Sequence, residues 1–307
     1  MKRFPFLHLA LFLLTFFTTL VTGAFLQGVD LFREPWRVLE GLPFSLALMA
    51  ILLSHELSHY FASRKHHTKA TLPYFIPAPP ILSPIGTFGA FIKMKSPIET
   101  RRALIDIGAS GPIAGFILSV IASVIGLSYS KIVPVLKAQE GIFLGDSLLF
   151  SLLSNLFVGE LPQSSDVLLH PVAFAGWIGL FVTSLNLIPI GQLDGGHVAY
   201  AFLGNRQLRL SKLLVAALFL FGSIGMLQTI AGADASFLSP DLTGLLRRLP
   251  AFWPGWAFWG AVMLLLGLRH PPVLYWEVPL DRRRRFTGAL SLLIFILTFV
   301  PSPFTLR

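Results

Sequence analysis

Apolar positions run along the chain in blocks rather than in the three-and-four spacing of a helix resting on a soluble core. A bilayer crossing needs about 20 helical residues. Apolar stretches of that order lie at roughly 6–27, 43–63, 103–128, 172–203, 211–231, 253–269 and 286–302. This pattern predicts an all-α polytopic membrane protein with about seven transmembrane helices. Two further apolar segments do not fit. Residues 72–98 carry prolines at 73, 77, 79, 80, 84 and 97, which excludes a continuous helix. Within them Ala90 to Lys95 alternate with period two, as a strand does. Irregular backbone at membrane depth survives only where protein buries it or water reaches it. A re-entrant β-hairpin-like loop is therefore expected, the plainer reading being a proline-rich loop on the inner surface. Residues 142–158 are apolar but short, with Asp146 near their start, and suit an interfacial amphipathic helix on the outer side.

Composition agrees. Hydrophobic residues make up 54% and charged residues 13% of the 307 positions, with a mean hydropathy of +0.72, whereas soluble domains carry about twice that charge. Disorder, a nucleic-acid-binding domain and a disulfide scaffold are excluded, and with no cysteine any metal must take nitrogen and oxygen ligands. The net charge of +9 matters through its placement. With the N-terminus inside, 17 of the 24 Lys and Arg fall on the inner side, which by the positive-inside rule orients the chain N-in and C-out. The run Arg282 to Arg285 is expected to be an inner-side anchor, and His66 and His67, in RKHHTK, are expected to be solvated. The first apolar run exceeds a signal-peptide h-region and has no clean cleavage site, so it reads as a span. One membrane domain over 1–307 is expected, in a plasma or inner membrane with the N-terminus cytoplasmic; an organellar membrane is the alternative.

Candidate chemistry begins in LLSHELSHYF, where His55, Glu56 and His59 form H-E-x-x-H. Residues four apart share one helix face, so both imidazoles can reach one zinc, with Glu56 beside them as a base. In a soluble helix so short a match is often an exposed polar face. Within an apolar run, two His and a Glu are costly unless they pair, bind or face water. A catalytic zinc needs a third protein ligand and an open position. Asp194, in SLNLIPIGQLDGGHVAY, is the candidate: it lies in an apolar run with no charged partner nearby, and Pro189 and Gly191 should break the helix before it. Depth agrees, since His55 and His59 stand about 14 and 7 Å before Arg64, and Asp194 about 18 Å before Arg206, at 1.5 Å per residue. Both segments run from outside to inside.

HELSH followed far downstream by N-L-I-P-x-x-x-L-D-G-G (Asn186 to Gly196) resembles the site-2 proteases, zinc metalloproteases that cleave membrane-embedded peptide bonds. The resemblance extends through PYFIP, GTFGAFIKMKSPI, RRALIDIGASGPIAG and the segment 170–197, on the branch related to plant plastid enzymes. It covers about 43–204, a catalytic core, with additional helices at 1–42 and 205–307. No PDZ or CBS module fits. The resemblance implies one Zn2+ per chain held by His55, His59 and Asp194, with Glu56 as general base. It also implies that Asn186 polarises the scissile carbonyl; an interhelical hydrogen bond is the equal alternative. His197 is left off the ligand set, and the small residues at 108–115 are assigned to helix packing.

The implied partners are a transmembrane protein substrate and the lipid bilayer, with no nucleic acid; the sequence leaves the oligomeric state open. A helical substrate must be unwound before cleavage, and adding it to a strand edge achieves this. The stretch from Gly86 to Lys95 is the candidate edge, with Gly86, Phe88 and Gly89 as the substrate-binding residues. The rival readings are an inactive relative acting as a membrane scaffold and a divalent-metal transporter, the latter lacking the paired broken helices and additional acids it would need.

Overall fold

The computed structural model describes residues 5–134, 142–159, 161–162, 165–233 and 239–306. Helix α1 (Phe6–Leu26) leads through a 3-10 turn at Pro35–Gly41 into α2 (Leu42–Lys65). After the proline-rich segment comes α3 (Arg101–Ser128), started by Thr100, whose hydroxyl accepts the Ala103 N–H at 3.1 Å, as an N-cap should. Helix α3 is the centre of the bundle: α2 and α5 (Pro171–Asn186) lie along it, and α6 (Asp194–Leu203) crosses it. The α3–α5 contact is close because small residues face each other. A methyl added at Gly126 would stand 2.0 Å from the Ala173 nitrogen, and one at Gly176 2.5 Å from Ser123 Oγ. Where lipid surrounds the helices, such backbone approach supplies the packing energy that side-chain burial supplies in water.

Among the described residues, four stretches are long and apolar enough to cross a membrane: Phe6–Leu26, Pro35–Lys65, Arg101–Ser128 and Asp194–Gly232. The last joins α6, a turn at Gly204–Arg206 and α7 (Gln207–Ala233). The stretch expected as one run over 172–203 is two helices. It breaks after Asn186, through Pro189 and a left-handed Gly191 (φ +54°), and restarts at Asp194. Helix α8 (Pro240–Arg248) precedes α9 (Gly255–Leu266) and α10 (Arg282–Thr298), which at 12 and 17 residues are shorter than the expected crossings at 253–269 and 286–302.

Strands are short and paired. In the proline-rich segment β1 (Tyr74–Pro77) pairs antiparallel with β2 (Thr87–Phe91), and a bridge joins Ala70 to Met94. The regular strand thus begins before the expected Ala90–Lys95 and ends inside it. Helix α1 supports the hairpin along its length. His8 Nδ1 donates to the Pro73 carbonyl at 3.0 Å, Phe12 meets Phe75 edge-on at 5.1 Å, and Thr18 donates to the Gly86 carbonyl at 2.7 Å. Elsewhere β3 (Lys131–Pro134) pairs with β5 (Ser165–Leu168), and β4 (Ile142–Leu144) with β6 (Phe304–Leu306). The segment 142–158 is therefore a strand followed by a helix, α4 (Leu148–Phe157), capped by Ser147.

One expectation of solvation fails at the end of α2. His66 Nε2 lies 2.8 Å from Asp106 Oδ2 on α3, and the same oxygen receives Arg284 of α10, which also binds Asp281. His66 is therefore paired rather than free, and one arginine of the four-residue run ties α10 to α3. A charge drawn in from water needs such partners. His67 is exposed, as expected.

Gly126→Ala should push α3 from α5 and destabilise the protein by about 1–3 kcal/mol, the usual size of an overpacking strain. A lower melting temperature in detergent, compared with the same change at Gly232, where an added methyl meets nothing within 4 Å, checks it.

Candidate metal centre

His55 and His59 occupy one face of α2, four residues apart, and both are buried at 6% exposure. The break at 187–193 turns the chain so that Asp194, first residue of α6, comes against that face. An acid in the first turn of a helix is favoured by the unpaired N–H groups there. His55 Nε2 and His59 Nε2 are 3.1 Å apart, and each stands 3.3 Å from an oxygen of Asp194. Ligands at about 2.0–2.1 Å from a tetrahedral zinc stand about 3.3–3.4 Å from one another. The donor set fits a zinc ion with a fourth position open. Among the described residues this is the one group of three or more potential ligands.

The tautomer suits the same task. His59 Nδ1 lies 2.7 Å from the Ile107 carbonyl, which can only accept, so Nδ1 carries the proton and Nε2 presents a lone pair. Three lone-pair donors this close, away from water, require a cation or protons between them. Glu56 is buried at 7% exposure. The Ile92 N–H, one residue beyond β2, faces its carboxylate, so Glu56 lies beside the hairpin. Asn186, last residue of α5, places Nδ2 3.5 Å from His55 Nε2. His197 falls outside the donor group: its Nδ1 is 2.6 Å from His270 Nε2, and His270 Nδ1 bonds the Pro271 carbonyl.

The hairpin residues divide. Gly86 is packed, its built methyl 2.6 Å from the Thr18 carbonyl, whereas Gly89 (φ +96°) has open space around it and Phe88 is exposed. No second strand borders the far edge of β2 among the described residues.

Sequence reasoning missed the wall behind the histidines. An added methyl would fall 2.1 Å from His59 Nε2 at Gly111 and 3.1 Å from His55 Nδ1 at Gly115. The small residues at 108–115 do serve close packing, but what they pack against is the donor set. Their spacing, with Gly108, Gly111 and Gly115 on one helix face, carries that signal.

A histidine pair on one helix, an aspartate on another and a carboxylate beside them define the class: a metallopeptidase-type centre in a protein of multiple membrane-spanning helices. The chain belongs to peptidase family M50, whose model matches residues 43–228. It is similar to "Probable zinc metalloprotease EGY1, chloroplastic" of Arabidopsis thaliana, 36% identical over 172 residues, 54% of this chain and 30% of the relative. It is also similar to "Probable zinc metalloprotease EGY2, chloroplastic" of the same plant, 30% identical over 193 residues, 62% of this chain and 34% of the relative. "Probable zinc metalloprotease EGY3, chloroplastic" of Oryza sativa subsp. indica is 28% identical over 209 residues, 64% and 35% of the two chains. The chain thus spans about a third of the length of these relatives. No solved structure matches.

Gly111→Ala should displace His59 and weaken zinc retention by about 10- to 100-fold, the usual cost of disturbing a ligand's support. Gly115→Ala should cost less, because its 3.1 Å contact can relax. Metal content after graded chelator dialysis measures both.

Proposed function

We propose that this protein is an intramembrane zinc metalloprotease that hydrolyses a peptide bond in or near a transmembrane segment of another membrane protein. One observation carries the proposal: His55 and His59 of one helix bring their Nε2 atoms 3.1 Å apart, and Asp194 of another places a separate carboxylate oxygen 3.3 Å from each, with buried Glu56 alongside. The membrane reading places about seven crossings with the N-terminus on the cytoplasmic side of a cell membrane, and one metal per chain.

Zinc, when bound by His55, His59 and Asp194, supplies polarisation of the scissile carbonyl and a water acidic enough to lose a proton near neutral pH. Glu56 takes that proton on its carboxylate and returns it to the departing amine. Asn186 Nδ2 donates to the carbonyl oxygen as negative charge builds on it, the kind of stabilisation that preorganised donors provide.

The hairpin prepares the substrate. A peptide added to the free edge of β2 gives up its helical hydrogen bonds for strand bonds, which frees the scissile carbonyl. Re-entry to membrane depth is supported by α1: the contacts from His8 to Thr22 accompany the hairpin along about 21 Å of helix at 1.5 Å per residue. Phe88 and Gly89 lie where a substrate strand would pass, and Gly86 fixes the hairpin to α1.

The test combines metal content with cleavage of labelled single-span peptides in nanodiscs. Wild type is expected to hold about one zinc and to cut, and Asp194→Ala to lose both. Glu56→Gln should keep the zinc while cutting at least about 100-fold more slowly, the scale of general-base catalysis. Zinc retained with no cleavage by wild type, and no effect of Glu56→Gln in cells, would support the scaffold reading; a folded wild type without zinc would overturn the protease. Gly89→Pro should slow cleavage with zinc still bound, and loss of both together would make the hairpin structural.

A further inference from the structure

At the C-terminal end of α2, starting one residue after His59, Tyr60, Arg64, His67, Thr68, Lys69 and Ala70 surround a cleft of about 390 Å³. Three of its six lining side chains are basic or can become so. None of Arg64, His67 and Lys69 forms an ion pair with an acidic side chain among the described residues. The nearby acceptor, Asp106, is taken by His66 and Arg284.

The basic groups are arranged rather than merely present. The Arg64 guanidinium lies over the Tyr60 ring, 5.9 Å from its centre, a contact that orients the cation. The chain then turns sharply at His67, the one described non-glycine residue with positive φ, at +54°. The Thr68 N–H closes the turn on the Ser63 carbonyl at 2.9 Å, and the Lys69 N–H bonds Ser96 Oγ at 2.8 Å. This is a left-handed helix C-cap, closed by the Thr68 bond to Ser63, and it sets the direction in which Lys69 leaves the helix. Arg64 and Lys65 complement the negative end of the α2 dipole. That role does not account for Lys69 and His67, which lie past the helix end, nor for the concavity between them.

We propose that this cleft binds a phosphate-bearing anion, with Arg64 and Lys69 as its main charge partners. The proposal goes beyond the proteolytic reading and does not depend on it. On the charge-based topology the cleft lies at the inner bilayer surface, where basic pockets at helix ends meet the headgroups of anionic phospholipids. A soluble phosphate offers the same chemistry, so the two sources are separated by experiment. Because the cleft continues the helix that presents His55 and His59, an occupant there steadies the end of that helix.

The experiment uses the full chain purified in detergent, with zinc content and melting temperature as controls for folding. Native mass spectrometry counts retained phosphatidylglycerol after exchange from mixed phosphatidylglycerol and phosphatidylcholine micelles. Calorimetry follows inorganic phosphate alone. Wild type is expected to retain phosphatidylglycerol over phosphatidylcholine, and the double variant Arg64→Gln, Lys69→Gln to bind it about thirtyfold more weakly, at the usual strength of basic residues near an anionic surface. Zinc content should be unchanged. Binding of inorganic phosphate without phosphatidylglycerol selectivity, lost in the same variant, would support the site and assign it a soluble ligand. Equal binding by wild type and variant, or binding of neither probe by wild type, would overturn it. If the double variant fails to fold, Lys69→Gln alone, beyond the helix, repeats the comparison.

Discussion

Helix α2 must come close enough to α3 for a histidine ring to lie where a side chain would otherwise be, and the rest of the site follows from that approach. Gly111 provides the space under His59, and the Ile107 carbonyl one turn earlier accepts a hydrogen bond from the ring's Nδ1–H. With that nitrogen fixed, Nε2 points its lone pair at the place where His55 and Asp194 also converge. The bond would be unremarkable in water, but in an apolar bundle a free imidazole N–H has no alternative partner. Packing distance and tautomer are therefore one constraint. Helix α3 carries it and also holds α5 and α6, so the scaffold and the donor set are positioned by the same helix.

The placement of the candidate site residues was legible in the sequence where it depends on local geometry. The four-residue spacing of His55 and His59 is a helix property, and Pro189 with Gly191 announces a broken helix before Asp194. The prolines of 72–98 likewise exclude a helix and leave strand as the alternative. What was not legible depends on partners distant in the chain. His66 sits in a basic run and reads as solvated, but Asp106, forty residues on, captures it, and Arg284 joins from α10. Likewise the glycines of α3 read as generic packing until the residues facing them are known. The lengths of α9 and α10 fell short of their apolar runs, because hydropathy marks where a chain prefers lipid and not where its helical hydrogen bonds stop.

The hairpin shows how a weakly paired element gains rigidity. Two strands of four and five residues would be marginal alone. Here one edge is held by α1 through His8, Phe12 and Thr18, and at the junction just past β2 the Ile92 N–H faces the buried Glu56 carboxylate. A chain pairing with the free edge of β2 would therefore lie near that carboxylate. Gly89, with open space beside it, lies three residues before that junction. An α1 that served only as an anchor would not need polar contacts to the hairpin. Thr18 reaches the Gly86 carbonyl, and Thr19 is joined to Ser45 of α2 at 2.7 Å. Helix α1 thus connects the hairpin to the helix that carries His55 and His59, although the family match begins only at residue 43.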